Sequence, residues 1–230
     1  MMQDVITDFQ ERVIEIEEYL KLLTQLSQPS AQICVDRKRP LVISNIAIKT
    51  MKASCFLMLY NLVESSIRGS MAKLYEKMNA EGKQLDCFDL YVKDIWIEQN
   101  FRVIEPMSAN QSSYRELVRK MINLVIESSP LVLDAKKINI SGNLDAKKIR
   151  SLFNQHKISI NTHYRALGGA ELKTVKDQRN SLAHGDTSFA DCGQQYTVRD
   201  IEGIKKQTVT YLRSSLRNVA KYIDRKKYAA

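Results

Sequence analysis

Cysteine is sparse in this chain: Cys34, Cys55, Cys87 and Cys192 form no CxxC pair and keep no regular spacing. Neither a zinc knuckle nor a disulfide framework is encoded, and the thiols read as buried or idle. Proline (4) and glycine (8) are also few for 230 residues. With no low-complexity tract or internal repeat, that scarcity favours helices over a loop-rich design. Histidine occurs 3 times. His156 and His163 stand in a Ser/Asn-rich stretch that reads as a loop, with no carboxylate at ligand spacing, so no metal is expected there. The longest apolar run, Cys55 to Tyr60, is far too short to cross a bilayer. Acidic groups lie near the start, where a signal peptide would carry none. These absences imply a cytoplasmic chain with no membrane partner and no cofactor.

What is present is ordinary for one sizeable core: 44% hydrophobic and 27% charged residues. The net charge of +9 is unevenly placed. Residues 1–30 hold six carboxylates against Arg12 and Lys21, whereas residues 199–230 hold nine Lys or Arg against three acids. A basic end suits a polyanion such as RNA, with binding that weakens in salt. The acidic start could also pair with the basic end, within one chain or across a dimer.

Periodicity predicts an all-α bundle. Residues 4–26 repeat Val5, Phe9, Val13, Ile16, Leu20 and Leu23 at helical spacing. Residues 28–40 form a polar connection carrying Asp36, Arg37, Lys38 and Arg39. The longest helix runs over 43–79 and is apolar on nearly all sides between Met51 and Met71, as a helix inside a bundle must be. Tyr60, Asn61 and Glu64 are polar exceptions on it, and each needs a hydrogen-bond partner or a pocket to line. A short amphipathic stretch over 86–104 carries Trp96. Ser112 should cap a helix that turns Tyr114, Leu117, Val118, Met121, Leu124 and Val125 inward. Residues 131–133 read as an isolated strand, and Ser141-Gly142-Asn143 as a turn. Asn143 or Asp145 then caps a helix through Phe153, and the cluster around it makes Lys147 and Lys148 candidate RNA contacts. Residues 186–199 read as a loop or small hairpin. The last helix, 200–224, sorts Ile201, Ile204, Leu212, Leu216, Val219 and Ile223 to one side. Lys206, Arg213, Arg217 and Lys221 fall on the other, a second candidate RNA surface.

One stretch carries chemistry: Arg179-Asn180-Ser181-Leu182-Ala183-His184-Gly185, at the end of a helix beginning near Glu171. Five residues apart, the arginine and histidine of a regular helix point about 140° from each other. Gly185 is a natural left-handed stop, which places His184 in the last turn or just beyond. A fixed cation beside a group that gives and takes protons near neutral pH is what phosphodiester chemistry uses. The plain alternative is a helix end in which His184 complements the macrodipole and Arg179 is a surface charge.

The string from Arg179 to Gly185, with Ser188-Phe189 after it, Tyr60 to Glu64 on the long upstream helix and Ile140 to Asp145 between, resembles the HEPN superfamily over about residues 41–224. The closest similarity is to a branch found in prokaryotic defence and toxin-type gene clusters. The resemblance implies an all-α HEPN-like bundle with a long central helix and an inserted segment. Residues 1–40 would be an acidic helix and linker packed on a HEPN-like domain at 41–230. It also implies a metal-independent endoribonuclease, with Arg179, Asn180 and His184 as catalytic residues and Glu64, Tyr60 and Asn61 as candidates to line the pocket. Its partners would be RNA, a second HEPN chain in a homodimer or heterodimer, and an antitoxin. The alternative function is a non-catalytic HEPN interaction module that pairs with or neutralises another protein. DNA binding through the last helix lacks a helix-turn-helix signature.

Overall fold

The computed structural model describes residues 2–29, 31–33, 40–101, 111–138, 140 and 142–229. Among them are eight α-helices: α1 (Gln3–Leu26), α2 (Asn45–Ala80), α3 (Leu90–Phe101), α4 (Gln111–Ile126), α5 (Ala146–Gln155), α6 (Ala170–His184), α7 (Phe189–Gln194) and α8 (Val198–Asp224). Two short strands, β1 (Gln32–Ile33) and β2 (Leu41–Val42), pair antiparallel with Gln32 opposite Val42. The fold is all-α.

Ser44 starts α2 by accepting a hydrogen bond from the Ala47 amide, which satisfies one orphan donor of the first turn. Its middle has almost no polar face, so it folds only if neighbours cover most of it: α1, α6, α7 and α8 all pack against α2, and Phe56, Leu59, Leu62, Ile67 and Met71 are fully buried, while Asn61 and Arg68 stay exposed. By length and composition alone α2 could cross a membrane. Here the side chains of Phe56, Leu59, Leu62, Val63 and Ile67 are buried in the bundle.

The periodic stripe of α1 is buried at Phe9, Val13, Ile16, Leu20 and Leu23, in one apolar cluster with α2 and α8. Charge pairing reinforces the contact, with Lys73 Nζ 2.9 Å from Asp4 and Lys205 Nζ 2.9 Å from Glu17. The acidic first helix therefore pairs with the basic last one within the chain. On α8, Thr197 and Asp200 form a reciprocal capping box, and the predicted apolar side is buried.

Four local expectations are corrected. Residues 131–133 are not a strand. The side-chain amide of Asn79 does what a neighbouring strand would, donating to the Leu133 carbonyl (2.8 Å) and accepting from the Leu133 amide (2.9 Å). Ser112 lies inside the first turn of α4, which begins at Gln111. Val118 on α4 is exposed rather than turned inward, whereas Met121 of the same expected face is half-buried against the core. The expectations for the side chains of Tyr114, Leu117, Leu124 and Val125, and for residues 36–39, fall outside what is described. Finally, residues 186–199 contain α7 rather than a hairpin. Ser188 caps it by accepting from the Asp191 amide. Gly193 then lets the short helix lie directly on α2: a Cβ there would collide with the Lys49 carbonyl.

That contact makes a prediction. Gly193→Ala forces two backbones apart and should cost about 1–3 kcal/mol in urea unfolding, the usual effect of overpacking. Gly203→Ala on α8, where a Cβ meets nothing within 4 Å, should leave stability unchanged or raised by about 0.5–1 kcal/mol.

Candidate functional site

The motif helix α6 is positioned by Leu172, Val175 and Leu182, which are buried. It stops where the sequence says it should. Gly185 sits in the left-handed region (φ 79°, ψ 13°), and the Asp186 amide returns to the Ser181 carbonyl at 2.9 Å. His184 is therefore the last helical residue. It is exposed, and no group among the described residues hydrogen-bonds to its ring.

Arg179, five residues before His184, leaves the helix about 140° round from it. Its guanidinium carbon stands 4.5 Å from the ring centre of Tyr60 on α2. Its Nη1 donates to the Gly142 carbonyl (3.1 Å) and to Asn180 Oδ1 (2.9 Å). No carboxylate pairs with it among the described residues. A half-buried guanidinium stacked on an aromatic face gains about 0.5–2 kcal/mol from the ring quadrupole. Its charge remains uncompensated, and Nε and Nη2 keep donors for an anion.

The segment from Ile140 to Asp145 is what holds this arrangement. The Leu144 amide donates to the Tyr60 hydroxyl at 3.0 Å, and Asn180 Nδ2 donates to Asn143 Oδ1 at 2.6 Å. The Ile140 carbonyl accepts from Arg68, whose guanidinium also pairs with Glu64 at 2.8 Å. Asp145 caps α5 through the Lys148 amide and binds Lys176 of α6 at 3.1 Å. Burial alone would raise the Asp145 carboxyl, but the Lys148 amide and Lys176 outweigh it and hold it below the usual range. Burial pushes the Tyr60 phenol up, opposed by the Leu144 amide, so the ring under Arg179 stays neutral. A Cβ on Gly142 would sit 3.4 Å from Arg179 Nη1, at the edge of ordinary van der Waals contact.

Arg179, Asn180 and Tyr60 thus meet at one place, with Glu64 next to it through Arg68. Asn61 lies elsewhere: it accepts from Arg12 of α1 at 2.7 Å, in a groove with Glu15, Ile16, Leu57 and Met58. One residue along a helix is a turn of about 100°, enough to separate it from Tyr60. Arg179 and His184 of one chain do not touch. Lys206, Arg213, Arg217 and Lys221 are exposed along α8; Lys147 is exposed and Lys148 half-buried at the start of α5.

Outside the motif, the buried pair His156 and Tyr75 was not legible. His156, read as a loop residue, closes α5 and is buried, with Nδ1 on the Leu152 carbonyl and Nε2 on the Tyr75 hydroxyl, both at 2.8 Å. A carbonyl only accepts, so Nδ1 carries the proton and Nε2 accepts from the phenol. Burial lowers the His156 pKa. Burial also pushes the Cys55 thiol up to about 12 and raises Cys192, which leaves neither a thiolate nucleophile. Among the described residues no three His, Cys, Asp or Glu side chains cluster as metal ligands.

Two outcomes are expected. Tyr60→Phe strands the buried Leu144 amide and should cost about 1–3 kcal/mol, with faster amide hydrogen exchange in residues 142–145. His156 should make stability acid-sensitive. Its folded pKa is depressed, so the unfolded chain takes the proton first. The contribution is complete above about pH 6.5 and is lost as pH falls towards the folded value. Chemical unfolding at pH 7.5 and pH 5 should show that loss in the native chain, and a smaller one in His156→Gln.

A family model described as HEPN_MAE_28990-like HEPN matches residues 1–228. No curated protein and no solved structure gives a significant match. The match takes in α1 as well as the motif helix, and with nearly the whole sequence covered, the chain belongs to the HEPN_MAE_28990-like HEPN family.

Proposed function

We propose that the protein is a metal-independent RNA endonuclease, completed by two HEPN chains and acting as a toxin or effector in a prokaryotic defence or toxin-antitoxin system, where an antitoxin restrains it. The observation that carries this reading is Arg179: a half-buried guanidinium held by Tyr60 and the Gly142 carbonyl, with no carboxylate partner among the described residues and with donors to spare. Such a group binds phosphate bidentately and gains strength as charge builds on the phosphoryl oxygens.

His184 moves the proton. The ribose 2′-oxygen loses its proton and attacks phosphorus, the bond to the 5′-oxygen breaks, and that oxygen is protonated as it leaves. The products are a 2′,3′-cyclic phosphate and a 5′-hydroxyl. A single imidazole cannot easily be base and acid in one concerted step, and a second copy of the motif supplies the other. The divergence of Arg179 and His184 within one chain agrees with a twofold arrangement in which both copies contribute. Asn180, bound to both Arg179 and Asn143, orients the guanidinium.

The same divergence also fits a non-catalytic module that buries the motif against a partner protein. Incubating total RNA with the purified protein in EDTA separates the two. The native chain should cleave, His184→Ala should lose at least ~100-fold, and Arg179→Ala about 100- to 1,000-fold. Cleavage undiminished in both variants would remove the proposed site. An inert native chain that is also harmless when expressed would favour the module.

A further inference from the structure

Between α5 and α6 the chain makes a tight turn, residues 163–169, that the motif does not use. His163 and Tyr164 stack with ring centres 4.5 Å apart and planes at 30°. Arg165 lies against the same tyrosine, its guanidinium carbon 5.6 Å from the ring centre and its Nε donating to the hydroxyl at 3.0 Å. Tyr164 is nevertheless 73% exposed. An aromatic face that has been stiffened on two sides and left in water is a poor arrangement for packing and a good one for receiving a flat ligand.

The turn is fixed from below. Ala166 and Gly169 are buried, and a Cβ on Gly169 would overlap the Tyr211 ring. The His163 amide donates to Ser214 Oγ (3.1 Å), Asn218 Nδ2 donates to the Asn161 carbonyl (2.8 Å), and Arg150 Nη1 donates to the Gly168 carbonyl (2.9 Å). Ser214, Asn218 and Tyr211 span about 60° of the α8 surface. Measured from Ser214 in the opposite sense, Lys221, Arg217, Lys206 and Arg213 follow at about 20°, 60°, 80° and 100°. The tyrosine therefore rises at the edge of the exposed cationic stripe of α8, with Arg217 one helical turn from the Ser214 anchor.

We infer that Tyr164, backed by His163 and Arg165 at the edge of the α8 stripe that carries Arg213 and Arg217, is a base-stacking platform for single-stranded RNA. The stripe follows the phosphates and the exposed ring takes an unpaired base, the combination by which proteins hold single strands without reading sequence. A duplex keeps its bases stacked internally and offers no face to the ring. The inference rests on the ribonuclease reading for its choice of polymer. It adds what that reading leaves open, namely the strandedness of the substrate and where it is gripped. A physical link joins grip and motif: α5 binds the turn through Arg150 and, through Asp145, binds Lys176 one turn before Arg179.

The test measures binding, not cleavage. Full-length protein carrying His184→Ala is titrated into a fluorescein-labelled single-stranded RNA of about 12 nucleotides and into a duplex of the same length, at several salt concentrations. The single strand should bind more tightly. Tyr164→Ala, with its thermal melt unchanged because the side chain is exposed, should weaken single-strand binding by about 5- to 100-fold and leave its salt dependence intact. Tyr164→Phe should bind as the parent does. Arg213→Ala with Arg217→Ala should flatten the log–log salt slope by about 1.4. Affinity unchanged in Tyr164→Ala, a duplex bound as tightly as the single strand, or no RNA binding at all would each overturn the platform. Cleavage by the native chain could persist in any of those cases, which keeps the nuclease reading separate. Tyr164-dependent binding by a chain that cleaves nothing would uphold the platform while removing the nuclease.

Discussion

The guanidinium of Arg179, lodged between the face of Tyr60 and the carbonyl of Gly142, is the contact on which the arrangement around the motif depends. It joins the central helix α2, the motif helix α6 and the segment from Ile140 to Asp145. Taking a cation partly out of water without a counter-charge is costly, and the ring quadrupole and two acceptors offset only part of it. The remaining positive potential is what a phosphate would meet. A carboxylate in the same place would have made the structure easier to hold and the site useless for an anion.

The helix α5 carries that constraint outward. Its first turn is fixed to α6 through Asp145 and Lys176, and its last residues are fixed to α2 through His156 and Tyr75. Pinned at both ends, α5 holds Arg150 against the Gly168 carbonyl and so sets the turn that presents Tyr164. At the far end of α2, Tyr228, Lys83 and Lys226 surround Glu81. Burial alone would raise its carboxyl, yet those partners hold it down to about 2. The bundle is therefore clamped at the tail as well as at the motif.

Much of this is legible in the sequence alone. The all-round apolar pattern of α2, the stripe of α1, the two faces of α8 and the glycine stop after His184 are local signals, and each produced the element expected of it. What failed depended on contacts distant in sequence. Helix α7 was missed because Cys192-Gly193 reads as a loop unless one knows that the Lys49 carbonyl lies against it. The strand expected at 131–133 lost to a single side chain, Asn79, which no period reveals. Tyr60 and Asn61 read alike as polar interruptions of a buried helix, yet one meets Arg179 and the other Arg12. Residues Ile140 to Asp145 stand out by resemblance, but half of their contacts in the clamp come from backbone groups, which side-chain types do not reveal.

The central claim is that Arg179 and His184, divergent within one chain, act together only when two chains combine. Subunit mixing tests it most directly. Native protein and His184→Ala protein are co-refolded in varying ratio at constant total concentration, and RNA cleavage in EDTA is followed. If both copies of the motif are required, activity falls as the square of the native fraction, to about a quarter in an equal mixture. A linear decline, leaving about half, would mean that each chain carries its own complete site and would contradict the account.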